Sequence, residues 1–208
     1  MVEFLAQLPA FLTVHYDLAY PVLFILSFAE TLIGIGFFVY GELIFLPAAA
    51  LAGAGILNIW LVSAALILGG VAGDGVSFWI GREYGAAFLA NRKGKWARLA
   101  EEKGEAFFEK HGSRAAFLAR FMGPLSWVTP FFAGMHGMAY RSFFINNTPG
   151  VILGIGQFIV AGYLGGALIG LIPPELRHWG FIALGVLVGA AVAYQIVRAV
   201  RGSRKAAE

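Results

Sequence analysis

The chain has 208 residues, of which 59% are apolar and 13% charged, with a formal net charge of +3. Soluble domains carry about 25% charged residues, so this composition, with a mean hydropathy of +0.76, excludes an ordinary soluble core and makes the bilayer the solvent. There is no cysteine, which removes disulfides and thiolate metal sites and leaves the redox compartment open.

Charge is distributed unevenly. No Lys or Arg precedes Arg82; the basic residues then gather between Arg82 and Arg114, and again at Arg198, Arg201, Arg204 and Lys205. Both groups adjoin apolar spans, so they read as cytoplasmic topology signals rather than nucleic-acid contacts. The start of the chain lacks a positive region and carries Glu3, so no cleavable signal peptide is expected.

Residues 1–17 place Phe4, Leu5, Leu8, Phe11 and Leu12 at helical spacing, the pattern of an interfacial helix. Residues 18–40 form a first candidate span with Glu30 near its middle. The apolar run 43–56 contains Pro47 and many small residues; being too short to cross easily, it reads as half of a re-entrant hairpin. Residues 57–81 form a second span that contains Asp74, and 82–114 a polar amphipathic segment at the cytoplasmic surface. The stretch 115–134 is apolar but interrupted by Arg120, Gly123, Pro124 and Pro130, a second re-entrant candidate. Residues 143–171 make a long span, Pro173 and Pro174 a turn, and 179–197 a last span before the basic tail 199–208. With 82–114 inside, both termini fall in the cytoplasm and the two broken segments enter from opposite faces. Interrupted segments in corresponding halves point to a transport site at an inverted-repeat interface. The expected fold is thus all-α and membrane-integral, with a core domain over 18–198.

Four motifs in order carry a family resemblance, from about Glu30 to Gly166. FAETLIGIGFFVYGELIFLPAAALAG supplies the acids Glu30 and Glu42, with Gly41. GDGVSFWIGREYG supplies Gly73, Asp74, Gly81, Arg82 and Gly85. FFEKHGSRAAFLARFMGPLSWVTPFFAG supplies Phe108, Gly112, Arg120, Phe121, Pro130, Ala133 and Gly134. FFINNTPGVILGIGQFIVAGYLGG supplies Phe144, Asn147, Gly150, Gly162, Tyr163 and Gly166. Together they resemble the DedA family, also called SNARE-associated or VTT-domain proteins. Three positions depart from the family pattern: Tyr40 replaces a proline, Ser126 a second arginine and Gly154 a tryptophan. The resemblance implies two opposed re-entrant hairpins in a bacterial inner membrane. It also implies movement of a lipid phosphate such as undecaprenyl phosphate, linked to the proton-motive force, or phospholipid scrambling as in eukaryotic relatives.

The residues support that reading on their own chemistry. An unpaired arginine at the centre of a membrane span costs ~2.5–3.5 kcal/mol by insertion scales, so Arg120 is expected to meet negative charge. Its planar fork suits phosphate oxygens; a plain salt bridge to Glu30 or Glu42 is the structural alternative. Arg120 and Ser126 are the candidate substrate-binding pair, and Glu30 and Glu42 the candidate proton-coupling acids. Glu42 also suits a helix N-terminus. Asp74 is expected to cap the helix or pair with Arg82 across a turn. His136 follows the second hairpin and offers part of the charge missing at Ser126, and Asn147 is an accessory position. The histidines show no metal-ligand spacing and no cofactor is expected. Gly162, Gly166 and Gly170 recur at every fourth position, as do Gly185 and Gly189, a pattern of close helix packing within one chain or in a homo-oligomer. Catalysis is not expected: Ser126 has no histidine in a motif relation to it, as a membrane-embedded lipid-phosphate enzyme would need. A third reading is a non-transporting scaffold or ion-leak protein. The partners expected are membrane lipids and protons.

Overall fold

A computed structural model describes residues 16–36, 41–91, 107–121, 125–171 and 173–176, with isolated positions between 179 and 186. The interfacial helix expected at the N-terminus, residues 92–106 of the polar segment, most of the closing span and the basic tail lie outside the described residues. Those described form helices and turns: α1 (Tyr16–Thr31), α2 (Glu42–Gly53), α3 (Ile59–Asn91), α4 (Ala115–Leu118), α5 (Leu125–Met135) and α6 (Tyr140–Gly170). Single 3-10 turns flank α4 at Gly112–Arg114 and Ala119–Phe121, and another follows α6 at Pro174–Leu176. Two helical stretches, Ile59–Gly85 and Tyr140–Ile169, are long and apolar enough to cross a membrane. The chain divides into two compact units, one of residues 1–19, 41–63 and 158–208, the other of 20–40 and 64–157.

In the first unit α2 packs against the C-terminal part of α6 through residues with little or no side chain. A Cβ at Gly162 would lie 2.9 Å from the Cβ of Ala49, and one at Gly166 would collide with the Ala50 backbone. Gly53 makes the reciprocal approach to the Tyr163 carbonyl. Ala48, Ala49, Ala50 and Ala52 are buried with Phe45, whose ring lies 6.4 Å from that of Phe158. The glycine stripe Gly162–Gly166 is therefore used inside the chain. Gly55, at φ +80, ends α2 in a left-handed turn in which the Ile56 N–H donates to the Leu51 carbonyl at 2.9 Å. At 1.5 Å per residue α2 is about 18 Å long, short of the ~30 Å hydrocarbon core.

The second unit is held by hydroxyl groups and glycines between α1 and α3. Ser27 Oγ donates to the Leu66 carbonyl at 2.7 Å, and Thr31 Oγ1 to the Gly70 carbonyl at 3.1 Å. Gly69 and Gly73 let α3 approach the Phe24 and Phe28 carbonyls. The single span expected over 18–40 is corrected here: α1 stops at Thr31, and Gly34 turns the chain at φ +86. Ser77 satisfies the groups freed by that stop, accepting from the Ile33 N–H at 2.8 Å and donating to the Thr31 carbonyl at 3.2 Å. Backbone without a helical partner at membrane depth requires such substitutes.

α3 begins on Asn58, whose Oδ1 accepts from the N–H groups of Trp60 at 2.9 Å and Leu61 at 3.3 Å. The boundary expected at Gly81 is not a break; α3 runs on through Arg82 to Asn91. Gly81 is a packing position instead. A Cβ there would strike the Phe131 carbonyl of α5, and one at Gly134 the Phe78 carbonyl of α3. Beside this crossing Phe78, Ala116, Ala133 and Phe143 are buried together, with the Phe78 and Phe143 rings stacked at 4.5 Å.

Overpacking a close backbone contact costs about 1–3 kcal/mol or more. Gly81→Val and Gly134→Val are each expected to lower the melting temperature of the purified protein in detergent. Gly154, with nothing within 4 Å of a built Cβ, is the control: Gly154→Ala is expected to leave the melting temperature unchanged or raised.

Candidate functional site

The second unit brings together three polar side chains from three segments. Asp74 lies midway along α3 and Asn147 in the second turn of α6, 0% and 1% exposed. Arg120 comes from the 3-10 turn Ala119–Phe121, its side chain 9% exposed. Arg120 Nη2 forms an ion pair with Asp74 Oδ2, and Asn147 Nδ2 donates to that same oxygen at 2.7 Å. The second carboxylate oxygen, Oδ1, is buried with no hydrogen-bond partner among the described residues. Arg120 reaches this position because Gly150, one turn beyond Asn147, has no side chain; a Cβ there would sit 2.9 Å from Arg120 Cγ.

The ion pair corrects one expectation. Asp74 is paired with Arg120 and not with Arg82. On this one unbroken helix the acid and the base diverge: Arg82 is exposed and about 12 Å further along the α3 axis than Asp74. Arg120 pairs with Asp74, and Glu30, one of the two acids the sequence suggested, acts on it as well. Glu30 lies close enough to act electrostatically on Arg120. It is half-buried near the end of α1, where Trp127 Nε1 donates to its Oε1 at 3.4 Å. Glu42 opens α2 in the other unit, and its side chain lies outside the described residues. Ser126 is half-buried in the first turn of α5. His136 follows the last turn of α5, exposed, with Nδ1 2.8 Å from the Phe132 carbonyl and its ring 5.7 Å from Phe108.

Two contributors had no distinct signal in the sequence. Trp127 carried no signal of its own, and Gly150 was a motif position whose part the sequence did not give. Their parts depend on which side chains stand opposite them. Asn147 was visible only as a motif position, although a lone amide in an apolar run does mark a hydrogen bond waiting for a partner.

Removing one member of a buried ion pair leaves an uncompensated charge and costs about 3–5 kcal/mol, while replacing both by apolar groups is often neutral. Arg120→Met is therefore expected to destabilise strongly, and Arg120→Met with Asp74→Leu to recover most of the loss. Thermal unfolding of the three proteins in one detergent checks the cycle; an additive double variant contradicts the pairing.

Comparison with known proteins gives the chain a family. The family model of the VTT domain matches residues 43–164. Protein DedA of Escherichia coli K12 is 31% identical over 91% of this chain and 87% of its own length. An uncharacterized membrane protein of Mycobacterium leprae is 31% identical over 80% of this chain and 73% of its own. The inner membrane protein YabI of Escherichia coli K12 is 28% identical over 70% and 57%. No solved structure matches the chain. A charged pair built into apolar helices, in a chain that shares this domain and these relatives, gives the assignment: the protein belongs to the DedA family of VTT-domain membrane proteins.

Proposed function

We propose that this membrane protein moves a lipid phosphate, with a polyprenyl phosphate such as undecaprenyl phosphate as the substrate class, and that Arg120 receives the phosphate. The observation that carries the reading is the buried Asp74–Arg120 pair. A guanidinium kept in apolar surroundings is stable only against negative charge, and the fork that meets a carboxylate meets phosphate oxygens equally well.

Depth supports the same reading. Asp74 lies about 12 Å along α3 from exposed Arg82, and Asn147 about 9 Å along α6 from exposed Arg141. Exposed Trp79, Tyr84 and Tyr140 mark the same end of the two helices, as anchors at a membrane interface do. Half a hydrocarbon core is about 15 Å, so the pair falls within the leaflet on the basic side. A headgroup drawn down from that interface needs to travel a short way. The basic side is the cytoplasmic side in this proposal, the membrane is the bacterial inner membrane, and both termini face the cytoplasm.

The short helices α2, with Pro47, and α5, with Pro130, are the two re-entrant elements of the proposed inverted repeat within a membrane domain over 18–198. Glu30 and Glu42 are the proposed proton-coupling acids, and Ser126, beside Trp127, a polar position on the substrate path. The proposed reaction breaks no bond, so the protein acts as a carrier and not as an enzyme.

Reconstitution in liposomes tests this. Leaflet exchange of polyprenyl phosphate without release of inorganic phosphate is the expected outcome. Exchange of phosphatidylcholine at the same rate indicates a scramblase, and phosphate release indicates an enzyme. Arg120→Lys is expected to slow exchange at least about tenfold, the cost of one charge-assisted hydrogen bond. Glu30→Gln is expected to shift the pH dependence of exchange, and an unchanged pH profile removes Glu30 from the coupling.

A further inference from the structure

The carboxylate of Asp74 is held asymmetrically. One oxygen, Oδ2, takes both the Arg120 ion pair and the Asn147 amide at 2.7 Å, while Oδ1 is buried and has no hydrogen-bond partner among the described residues. A charged acceptor left open in a buried site is costly, and its place is suited to a proton. Among the described residues, the charged groups facing this carboxylate are few. Arg120 reaches it from the 3-10 turn, the neutral amide of Asn147 from α6, and from α1 the Glu30 carboxylate acts on Arg120. Among the described residues the cation that meets Asp74 is Arg120, the proposed receptor for phosphate.

We propose that Asp74, positioned by Asn147, is the resting counter-anion that an anionic headgroup displaces from Arg120, and that Asp74 takes up a proton as it is displaced. The inference rests on the receptor role of Arg120. One guanidinium cannot compensate two buried anions, so when the phosphate arrives the carboxylate is left without its cation. Carboxylates deprived of a counter-ion in a dry site become neutral. The charges then balance: the pair Arg120⁺ and Asp74⁻, a phosphate monoanion and a proton from water become a phosphate–Arg120⁺ pair and a neutral Asp74. Release reverses the exchange. Asp74 is a positioning residue that sets how tightly the site binds and ties each binding event to one proton.

The test uses the full-length protein in detergent micelles and didodecyl phosphate, a diester whose single charge does not titrate near neutral pH. Binding is followed by calorimetry and proton uptake by an indicator dye in weak buffer. The wild type is expected to take up about one proton per lipid bound. Asp74→Asn is expected to bind at least about tenfold more tightly, the loss of a charged competitor, and to take up none. Asn147→Leu loosens the carboxylate without removing it, and is expected to bind more tightly while still taking up the proton; it decides the question if Asp74→Asn does not fold. Uptake that survives in Asp74→Asn, uptake that vanishes instead in Glu30→Gln, or weaker binding by folded Asn147→Leu overturns the exchange. Absence of binding by the wild type, or equal binding by Arg120→Leu, overturns the receptor role itself and the exchange with it.

Discussion

An ion pair between Arg120 and Asp74, sealed among apolar helices, is the interaction on which the arrangement of the second unit depends. Neither charge is tolerable there alone, so the segment that carries the arginine has to dock against the helix that carries the aspartate. Arg120 sits on a 3-10 turn between short helical pieces, and Asp74 is fixed midway along a 33-residue helix. Docking them goes with the close backbone approach of α3 and α5 at Gly81 and Gly134. It also demands room for the long arginine stem, which Gly150 leaves on α6. Asn147 completes the arrangement by donating to the oxygen that already faces the guanidinium.

The remainder of the packing follows from the weakness of the hydrophobic effect between helices in lipid. Association there relies on contact between small residues and on hydrogen bonds between helices. Small-residue contacts occur in both units, through Ala49, Ala50, Gly162 and Gly166 in the first and Gly69 and Gly73 in the second, where the Ser27, Thr31 and Ser77 hydroxyls add the hydrogen bonds. Ser77 has a double part, since it joins α1 to α3 and also caps the backbone where α1 ends. That cap permits a helix to stop inside an apolar region without stranding its polar groups.

For function, the same pair has two faces. As a static salt bridge it satisfies the fold. In the proposed function it is an exchangeable anion site within one leaflet, in a protein whose DedA-family membership places it in membranes. Because the proposed receptor is a single guanidinium, the departure at Ser126 leaves the proposal intact, and the half-buried hydroxyl offers hydrogen bonding where a second cation is usual in the family.

Much of this was legible in the linear chain, for reasons of composition and spacing. Long apolar runs required bilayer-like surroundings, and an arginine in an apolar stretch announced a site that needed negative charge. Sequence did not indicate where α1 stops, because Gly34 and the distant hydroxyl of Ser77 act together only after folding. Nor did it mark Gly81 as a crossing point rather than a boundary, since a glycine has the same appearance in both parts. Above all, the chain contained several acids able to answer Arg120, and periodicity ranks none of them. The sequence alone determined that a buried cation needs an anion; only the tertiary structure decided that Asp74 supplies it, because pairing depends on which side chains three separately folded segments bring within reach.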